Sequence, residues 1–230
     1  MIAAYAELLA GKLGFDPALS RRVRQEVEDH LWEAVAAEPS EGHGKAIQRA
    51  ISKFGNADAI ANQFATLWLV EQMKKLGVTV MLVIGGVLVA MKARVAWYAL
   101  SQWELDEDVR AVAWLVGAID AYAFWLAVIV GFAGWAYLIV RRPAPTGVYA
   151  AHRNLQRVLL LSWISAAALI VSVTSDGVLT ALRLAGSAVS AQFLIPMISM
   201  AVEIAGVGIL VFIVRSVVVA MASTTALLKT

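Results

Sequence analysis

The first third of the chain mixes apolar and polar residues with the period of an α-helix. Apolar residues recur every three or four positions in 1–13, 17–37 and 45–54, each time opposite a polar face. Asp16 stands directly before a proline, which is typical of a helix start, and Gly55 is typical of a helix end. A further amphipathic stretch follows residue 55, and Asn56 can cap its start. The pattern therefore predicts a domain of four short helices within residues 1–70.

From residue 76 onward the pattern changes to long apolar runs. The clearest run, 111–140, has one charged residue, Asp120. A bilayer core of about 30 Å needs only about twenty apolar residues at a rise of 1.5 Å each, so this run predicts a membrane span. The same reasoning predicts four spans, at about 76–96, 113–140, 158–174 and 193–214. We expect an all-α fold in which a four-helix N-terminal domain precedes a four-span transmembrane domain, 76–222.

Charges beside the spans predict the orientation of the chain. Pairs of cations stand at 74–75 and 141–142, and such cations favour the cytoplasmic side, whereas the segment 104–108 is acidic. The Ser-Asp-Gly sequence at 175–177 predicts the end of the third span, which leaves 178–191 as an outer loop or surface helix. Both termini and the N-terminal domain are then expected in the cytoplasm.

Composition supports a division into a soluble part and a membrane part. Hydrophobic residues make up 60% of the chain and charged residues 16%. Residues 1–75 hold nine Lys/Arg and ten Asp/Glu, so the soluble part is not basic and we expect no direct binding of nucleic acid. Cysteine is absent, which excludes disulfides and thiolate metal sites. Because the first residues lack a basic region before their apolar run, no signal peptide is expected.

Two motifs in the N-terminal third resemble those of a known family. The acidic–His–Leu–x–Glu pattern is matched at 29–33, and a Phe-Gly-Asp-Pro signature is matched at 54–55 but replaced by Asn-Ala at 56–57. Residues 1–68 thus resemble the HAAS or permease-prefix type of helical domain, found at cytoplasmic N-termini of bacterial membrane proteins. The resemblance implies a regulatory or interaction module, a location in the bacterial inner membrane and no catalytic residues.

The exposed side of the second helix supplies the candidate residues for binding a partner: Arg22, Glu26, Asp29, His30 and Glu33. Three of them, His30 and the two glutamates, share one helix face in the manner of metal ligands. A single exposed face lacks the second helix that carboxylate metal sites use. We therefore interpret this face as a solvated charged surface, and we expect neither a metal nor a cofactor.

Glu203 is the most suggestive residue for chemistry inside the membrane. It lies ten residues after Phe193 and twelve before Arg215, near the middle of the fourth predicted span. A charge at the bilayer centre costs at least about 2.5 kcal/mol, so such residues are commonly functional. The carboxyl group could bind a cation, relay a proton or pair with another helix. The structural alternative is a hydrogen bond to a serine of the third span, namely Ser162, Ser165 or Ser172.

Three further polar residues lie within or beside the predicted spans. By helical rise, Asp120 lies about 30 Å from the end of its span, which is close to the depth of Lys92 and Arg94 on the neighbouring span. We expect Asp120 to form an ion pair with Lys92 or Arg94 at the outer boundary. A ligand site in an outer vestibule is the alternative.

The sequence contains no catalytic triad, nucleotide-binding motif or pair of carboxylates in a cleft, so enzymatic activity is not expected. The leading hypothesis is a membrane-tethered regulatory or adaptor protein whose cytoplasmic domain binds a protein, such as a transcription or sigma factor. The alternatives are an accessory subunit of a permease, a small carrier that uses Glu203, and a structural subunit of a larger complex. Membrane lipids are expected partners, and homo-oligomerisation is left open.

Overall fold

The computed structural model describes residues 1–37, 42–101, 107–141, 147–185 and 193–224. Within these ranges the chain is helical apart from short turns and contains no strand, which confirms the all-α class. The described helices are α1 (Ile2–Lys12), α2 (Pro17–Ala36), α3 (His43–Phe54), α4 (Ala57–Leu100), α5 (Arg110–Arg141), α6 (Val148–Ala185) and α7 (Leu194–Thr224). A short 3-10 turn, Glu107–Val109, precedes α5.

The described residues fall into two compact units. The first, called here the N-terminal unit, contains 1–72 together with the short stretches 147–155 and 217–224. The second, called here the bundle unit, contains the remaining described residues between 73 and 216. Helix α4 contributes its first residues to the N-terminal unit and the rest to the bundle unit.

The N-terminal unit is built from amphipathic helices with side-chain caps. Asp16 Oδ1 accepts hydrogen bonds of 3.0 Å from the backbone N–H groups of Ala18 and Leu19 at the start of α2. Such caps satisfy donors that have no partner within the helix. Asn56 caps the start of α4 in the same way, through a 2.8 Å bond from the Asp58 N–H. Helices α2 and α4 therefore begin at the capping residues that the sequence predicts, Asp16 and Asn56. The core consists of apolar side chains that include Leu9, Leu13, Val23, Val27, Leu31 and Leu69.

The turn between α3 and α4 depends on Gly55. Its φ of 109° is a backbone conformation that side chains with a Cβ rarely adopt. The carbonyl oxygen of Gly55 accepts a 2.8 Å hydrogen bond from the Tyr5 hydroxyl, and the Tyr5 ring makes an edge contact with Phe54. Helix α1 is thereby attached to the α3–α4 turn.

In the bundle unit, helices that are consecutive in the chain run antiparallel. The Ser165 hydroxyl of α6 donates to the Ala127 carbonyl of α5, and the Ser199 hydroxyl of α7 donates to the Ala90 carbonyl of α4. On α5, a Cβ added to Gly131 would collide with Ile84 of α4. Small residues at such positions let helix backbones approach closely. The four helices therefore surround a common interior.

Two predicted boundaries differ from the structure. Helix α4 has no break between the predicted fourth amphipathic helix and the first span, because residues 68–76 contain no residue that interrupts a helix. Helix α6 continues through Ser175-Asp176-Gly177 to Ala185, so the predicted break there is wrong. A single glycine costs a helix only about 1 kcal/mol, which tertiary packing easily offsets. The later part of the predicted outer loop, 186–191, lies outside the described residues, as do 102–106 and 142–146.

Candidate functional site

The most unusual feature of the bundle unit is a buried arginine between two carboxylates. Arg94 of α4 is 1% exposed, and Glu203 of α7 is completely buried. Arg94 Nη2 donates a 2.7 Å hydrogen bond to Glu203 Oε1 and also forms an ion pair with Asp176 of α6. We call these three residues the ionic cluster. It connects three of the four helices of the bundle.

The positions of these residues along their helices explain why they meet. Arg94 lies six residues before Leu100, Asp176 nine before Ala185, and Glu203 nine after Leu194. At a rise of 1.5 Å per residue, all three lie about 9–14 Å inside a helix end. Because consecutive helices run antiparallel, α4 and α6 run in the same direction, and the end of α4, the end of α6 and the start of α7 lie on the same side of the bundle. The ionic cluster is therefore one layer of the bundle.

Ser199 extends the cluster by one residue. Its hydroxyl lies 2.8 Å from the Ala90 carbonyl oxygen and 3.1 Å from Glu203 Oε1. Within the part of the chain that the structure describes, Arg94 Nη1 and Glu203 Oε2 are buried without a hydrogen-bond partner. Removing one member of a buried ion pair generally costs about 3–5 kcal/mol, since the remaining charge stays buried and unpaired. The cluster is thus a strong constraint on how α4, α6 and α7 pack.

Further polar contacts lie beside the ionic cluster. Asp120 Oδ1 accepts a 2.6 Å hydrogen bond from the Ser172 hydroxyl, which connects α5 to α6. The Tyr98 and Thr180 hydroxyls lie 3.2 Å apart and connect α4 to α6, and the Arg183 guanidinium lies 4.2 Å from the centre of the Tyr98 ring. Helices α4 to α7 therefore all contribute side chains to the polar contacts inside the bundle.

This arrangement is suited to holding helices together. The carboxylates of Asp176 and Glu203 both contact one buried arginine, Arg94. In the described ranges, no group of three His, Cys, Asp or Glu side chains is arranged to hold a metal ion. The Glu203 carboxylate already contacts Arg94 and Ser199. The geometry therefore favours an internal clamp over an empty ion-binding site.

The predicted partners of Asp120 are wrong. Arg94 pairs with Asp176 and Glu203 instead, although it is near enough to Asp120 to interact with it electrostatically. Lys92 is on the exposed side of α4 and has no partner among the described residues. Depth along a span placed these residues at similar levels, but depth alone does not give the direction in which each side chain points.

The serine partners proposed for Glu203 are also wrong. Ser162 and Ser165 donate to backbone carbonyls, and Ser172 donates to Asp120. Sequence reasoning missed Asp176 as a site residue because it treated residues 175–177 as a break. A detectable signal was present, since polar residues recur every three, four or seven positions along one face of α6: Ser162, Ser165, Ser172, Asp176 and Thr180.

The five candidate partner-binding residues, from Arg22 to Glu33, are all exposed on α2. His30 Nδ1 lies 3.5 Å from Glu33, a contact at the surface that contributes little to stability. Trp32, which sequence reasoning did not select, is 46% exposed on the same helix and stacks on His43 at 6.0 Å between ring centres. We call the exposed side of α2, including Trp32, the α2 surface.

Comparison with protein-family models, curated proteins and solved structures gives no match to this chain. The resemblance of residues 1–68 to the HAAS family therefore stays a prediction. The lengths and composition of the helices indicate the general class of protein. Four of its helices, α4 to α7, are long and apolar enough to cross a membrane, so the chain is a multi-pass helical membrane protein.

Proposed function

We propose that this protein is a membrane-tethered regulatory or adaptor protein. In this proposal the N-terminal unit lies in the cytoplasm and binds a protein partner, such as a transcription or sigma factor, through the α2 surface. Helices α4 to α7 anchor it in a bacterial inner membrane. The observation that carries the proposal is the continuity of α4, Ala57–Leu100, whose 44 residues belong to both compact units.

The α2 surface has the chemistry of a protein-binding site. It presents both signs of charge, and Trp32 adds a large exposed aromatic ring near the C-terminal end of α2. Aromatic residues surrounded by polar ones commonly contribute most of the binding energy of an interface. On the opposite side of α2, Val23, Val27 and Leu31 are buried, so the helix is held firmly while its outer side remains available.

Helix α4 supplies the physical connection between partner binding and the membrane. Its length is about 66 Å at 1.5 Å per residue. Leu69 of α4 is completely buried in the N-terminal unit, and Arg94 is buried in the ionic cluster of the bundle unit. No turn interrupts the helix between these two residues, and in this proposal partner binding acts on the membrane part through α4.

The transport alternative has less support. The carboxylate on which a carrier would depend, that of Glu203, is engaged by Arg94 and Ser199. A cavity among α4, α5 and α6, lined by Gly77, Gly131 and Ser162 among others, has a volume of about 10 Å³. This is at the lower limit for a single water molecule. Both observations favour anchoring over passage of a substrate.

Site-specific photo-crosslinking in native membranes tests the proposal. A photoreactive amino acid replaces Trp32 on α2 or, as the control, Gln48, which is exposed on α3. We expect position 32 to give a discrete adduct with a cytoplasmic protein, identified by mass spectrometry, and position 48 not to give it. A charge reversal at Arg22 should weaken that adduct, whereas Glu203→Gln should not.

Two results would contradict the proposal. One is the absence of any adduct specific to position 32, since an interaction protein needs a partner at that surface. The other is an adduct with permease or ATPase subunits combined with a transport defect in Glu203→Gln, which would favour the transport alternative.

A further inference from the structure

An apolar groove opens between α4 and α7 on the outside of the bundle unit. Its volume is about 720 Å³. Small residues of α4 form the floor, and the apolar side chains of Ile195, Ile198 and Val202 form the α7 side; the residues of the floor are Gly85, Gly86, Ala90 and Ala93. A Cβ on Gly85 or Gly86 would meet no atom within 4 Å. The groove is therefore open space that the bundle itself does not fill.

Lys92 lies on the same face of α4 as the groove. It follows Gly85 by seven residues and Val89 by three, which in an α-helix places all three along one side. Lys92 is exposed and has no partner among the described residues. A lysine near the end of a span extends its ammonium group toward the lipid headgroups. The groove therefore has a positive charge at its end nearer Leu100.

The dimensions of the groove correspond to one leaflet of a bilayer. Along α4 it extends from Met81 to Ala93. This is about 18 Å by helical rise, whereas half of a hydrocarbon core is about 15 Å. An acyl chain lying in the groove would thus place its headgroup near Lys92. In the bundle unit's described helices, the carboxylates of Asp120, Asp176 and Glu203 are buried, and the exposed carboxylate of Glu107 pairs with Arg110 rather than with Lys92.

We propose that this groove binds an anionic phospholipid, with one acyl chain between α4 and α7 and the phosphate at the Lys92 ammonium. Ser199 is part of the groove wall and bonds to Glu203. A bound acyl chain therefore touches a residue of the polar interior. This site is independent of the α2 surface, so either proposal can fail without the other.

The test compares lipids on the purified full-length protein in detergent. Phosphatidylglycerol and phosphatidylcholine with identical acyl chains are added, and the melting temperature is followed. We expect phosphatidylglycerol to raise it by about 2–4 °C more than phosphatidylcholine, since a ligand that binds the folded state stabilises it. Lys92→Gln should remove most of this difference. Gly86→Leu, which fills the groove, should reduce the effect of both lipids.

Two matched controls accompany these variants. Lys74→Gln removes an equal charge at an exposed position of α4 outside the groove, and Gly208→Leu adds the same side chain where a Cβ meets no atom within 4 Å. Both should respond to lipid as the unchanged protein does. Equal responses to the two lipids, or an equal loss in Lys74→Gln and Lys92→Gln, would overturn the proposal. A third result would also overturn it: Gly86→Leu converts a dimer to a monomer while the difference between the two lipids is retained. A second copy of the chain, and not a lipid, would then occupy the groove.

Discussion

The N-terminal unit and the bundle unit solve the problem of burial in opposite ways. In the N-terminal unit, apolar side chains such as Leu9 and Leu31 are buried, and charged residues of α2 are exposed. In the bundle unit, large apolar side chains such as Trp114 and Phe212 are 72% and 71% exposed, while Arg94 is buried. The N-terminal unit therefore has a polar exterior and an apolar core, whereas the bundle unit has an apolar exterior and buries charged side chains within its core.

The difference follows from the solvent that each unit faces. In water, removing apolar surface stabilises a fold by roughly 25 cal/mol per Å², so apolar residues collect inside. In lipid, that gain disappears, because hydrocarbon chains are as apolar as leucine. Polar contacts and close packing then hold helices together. The ionic cluster and Gly131 thus have the role in the bundle unit that Leu9 and Leu31 have in the N-terminal unit.

Arg94→Met should have the largest effect on stability. It leaves the carboxyl groups of Asp176 and Glu203 buried without their cation, and we expect a loss of about 3–5 kcal/mol. Thermal unfolding in detergent measures it. Lys92→Met, the same change two residues earlier at an exposed position, should have little effect without added lipid. Adding Asp176→Asn and Glu203→Gln to Arg94→Met should restore much of the stability. An Arg94→Met protein that melts like the unchanged protein would contradict the role of the cluster.

A pair of identical substitutions sharpens the comparison between the units. Leu31→Ala creates a cavity in the N-terminal unit and should cost about 2–5 kcal/mol. Leu126→Ala removes the same atoms from a side chain that is 50% exposed on α5, where lipid or detergent fills the space. We expect its cost to be much smaller. Similar losses in denaturation of the two variants would show that Leu126 is not on a lipid-facing surface.

Gly131→Ala tests close packing inside the bundle unit. The added Cβ would collide with Ile84 and lie 3.1 Å from Val80, both on α4. The tip of the Ile84 side chain can move, whereas Val80 is branched at Cβ and stiff, so we expect a cost of about 1 kcal/mol, at the lower end for overpacking. Gly208→Ala, where the new Cβ meets open space, serves as the control and should be neutral or slightly stabilising, since alanine favours helix. Equal melting temperatures for the two variants would argue against close contact between α4 and α5.

Tyr5→Phe should have the smallest effect. It removes the 2.8 Å hydrogen bond to the Gly55 carbonyl and should cost about 0.5–1.5 kcal/mol near pH 8. Burial raises the pKa of Tyr5 above its ordinary value. The hydroxyl therefore contributes stability below about pH 10, and this contribution is lost as the pH rises through the pKa of the folded state. Denaturant titrations of both proteins at pH 8 and pH 11 should show a smaller difference at pH 11; a constant difference would contradict this interpretation.

Much of the fold follows from the sequence, because hydrophobic periodicity is a local property. The caps at Asp16 and Asn56 and the four spanning helices were all predicted from short stretches. The length of α6 was not, since a Ser-Asp-Gly sequence is a weak signal that packing overrides. The sequence also predicted a boundary between the fourth amphipathic helix and the first span. Residues 68–76 contain no residue that interrupts a helix, and α4 is continuous there.

The candidate site was less predictable. The sequence indicated that Arg94 and Glu203 were unusual, but it could not pair them, because their contact depends on which helices are neighbours and how each is rotated. Asp176 was missed because the Ser-Asp-Gly sequence predicted a helix break. The polar residues from Ser162 to Thr180 on one face of α6 indicate instead that the helix continues. The α2 surface residues were selected from periodicity alone, and the exposure of Trp32 became evident only from the fold.

The most direct test of the central contrast is the reaction of single cysteines with a water-soluble maleimide in native membranes, which is feasible because the chain contains no cysteine. Arg22→Cys on the α2 surface and Leu126→Cys on α5 are both at exposed positions. We expect Arg22→Cys to react once both sides of the membrane are accessible, and Leu126→Cys to react only after denaturation, because lipid covers it. Rapid labelling of Leu126→Cys in intact membranes would contradict the assignment of the bundle unit to the membrane.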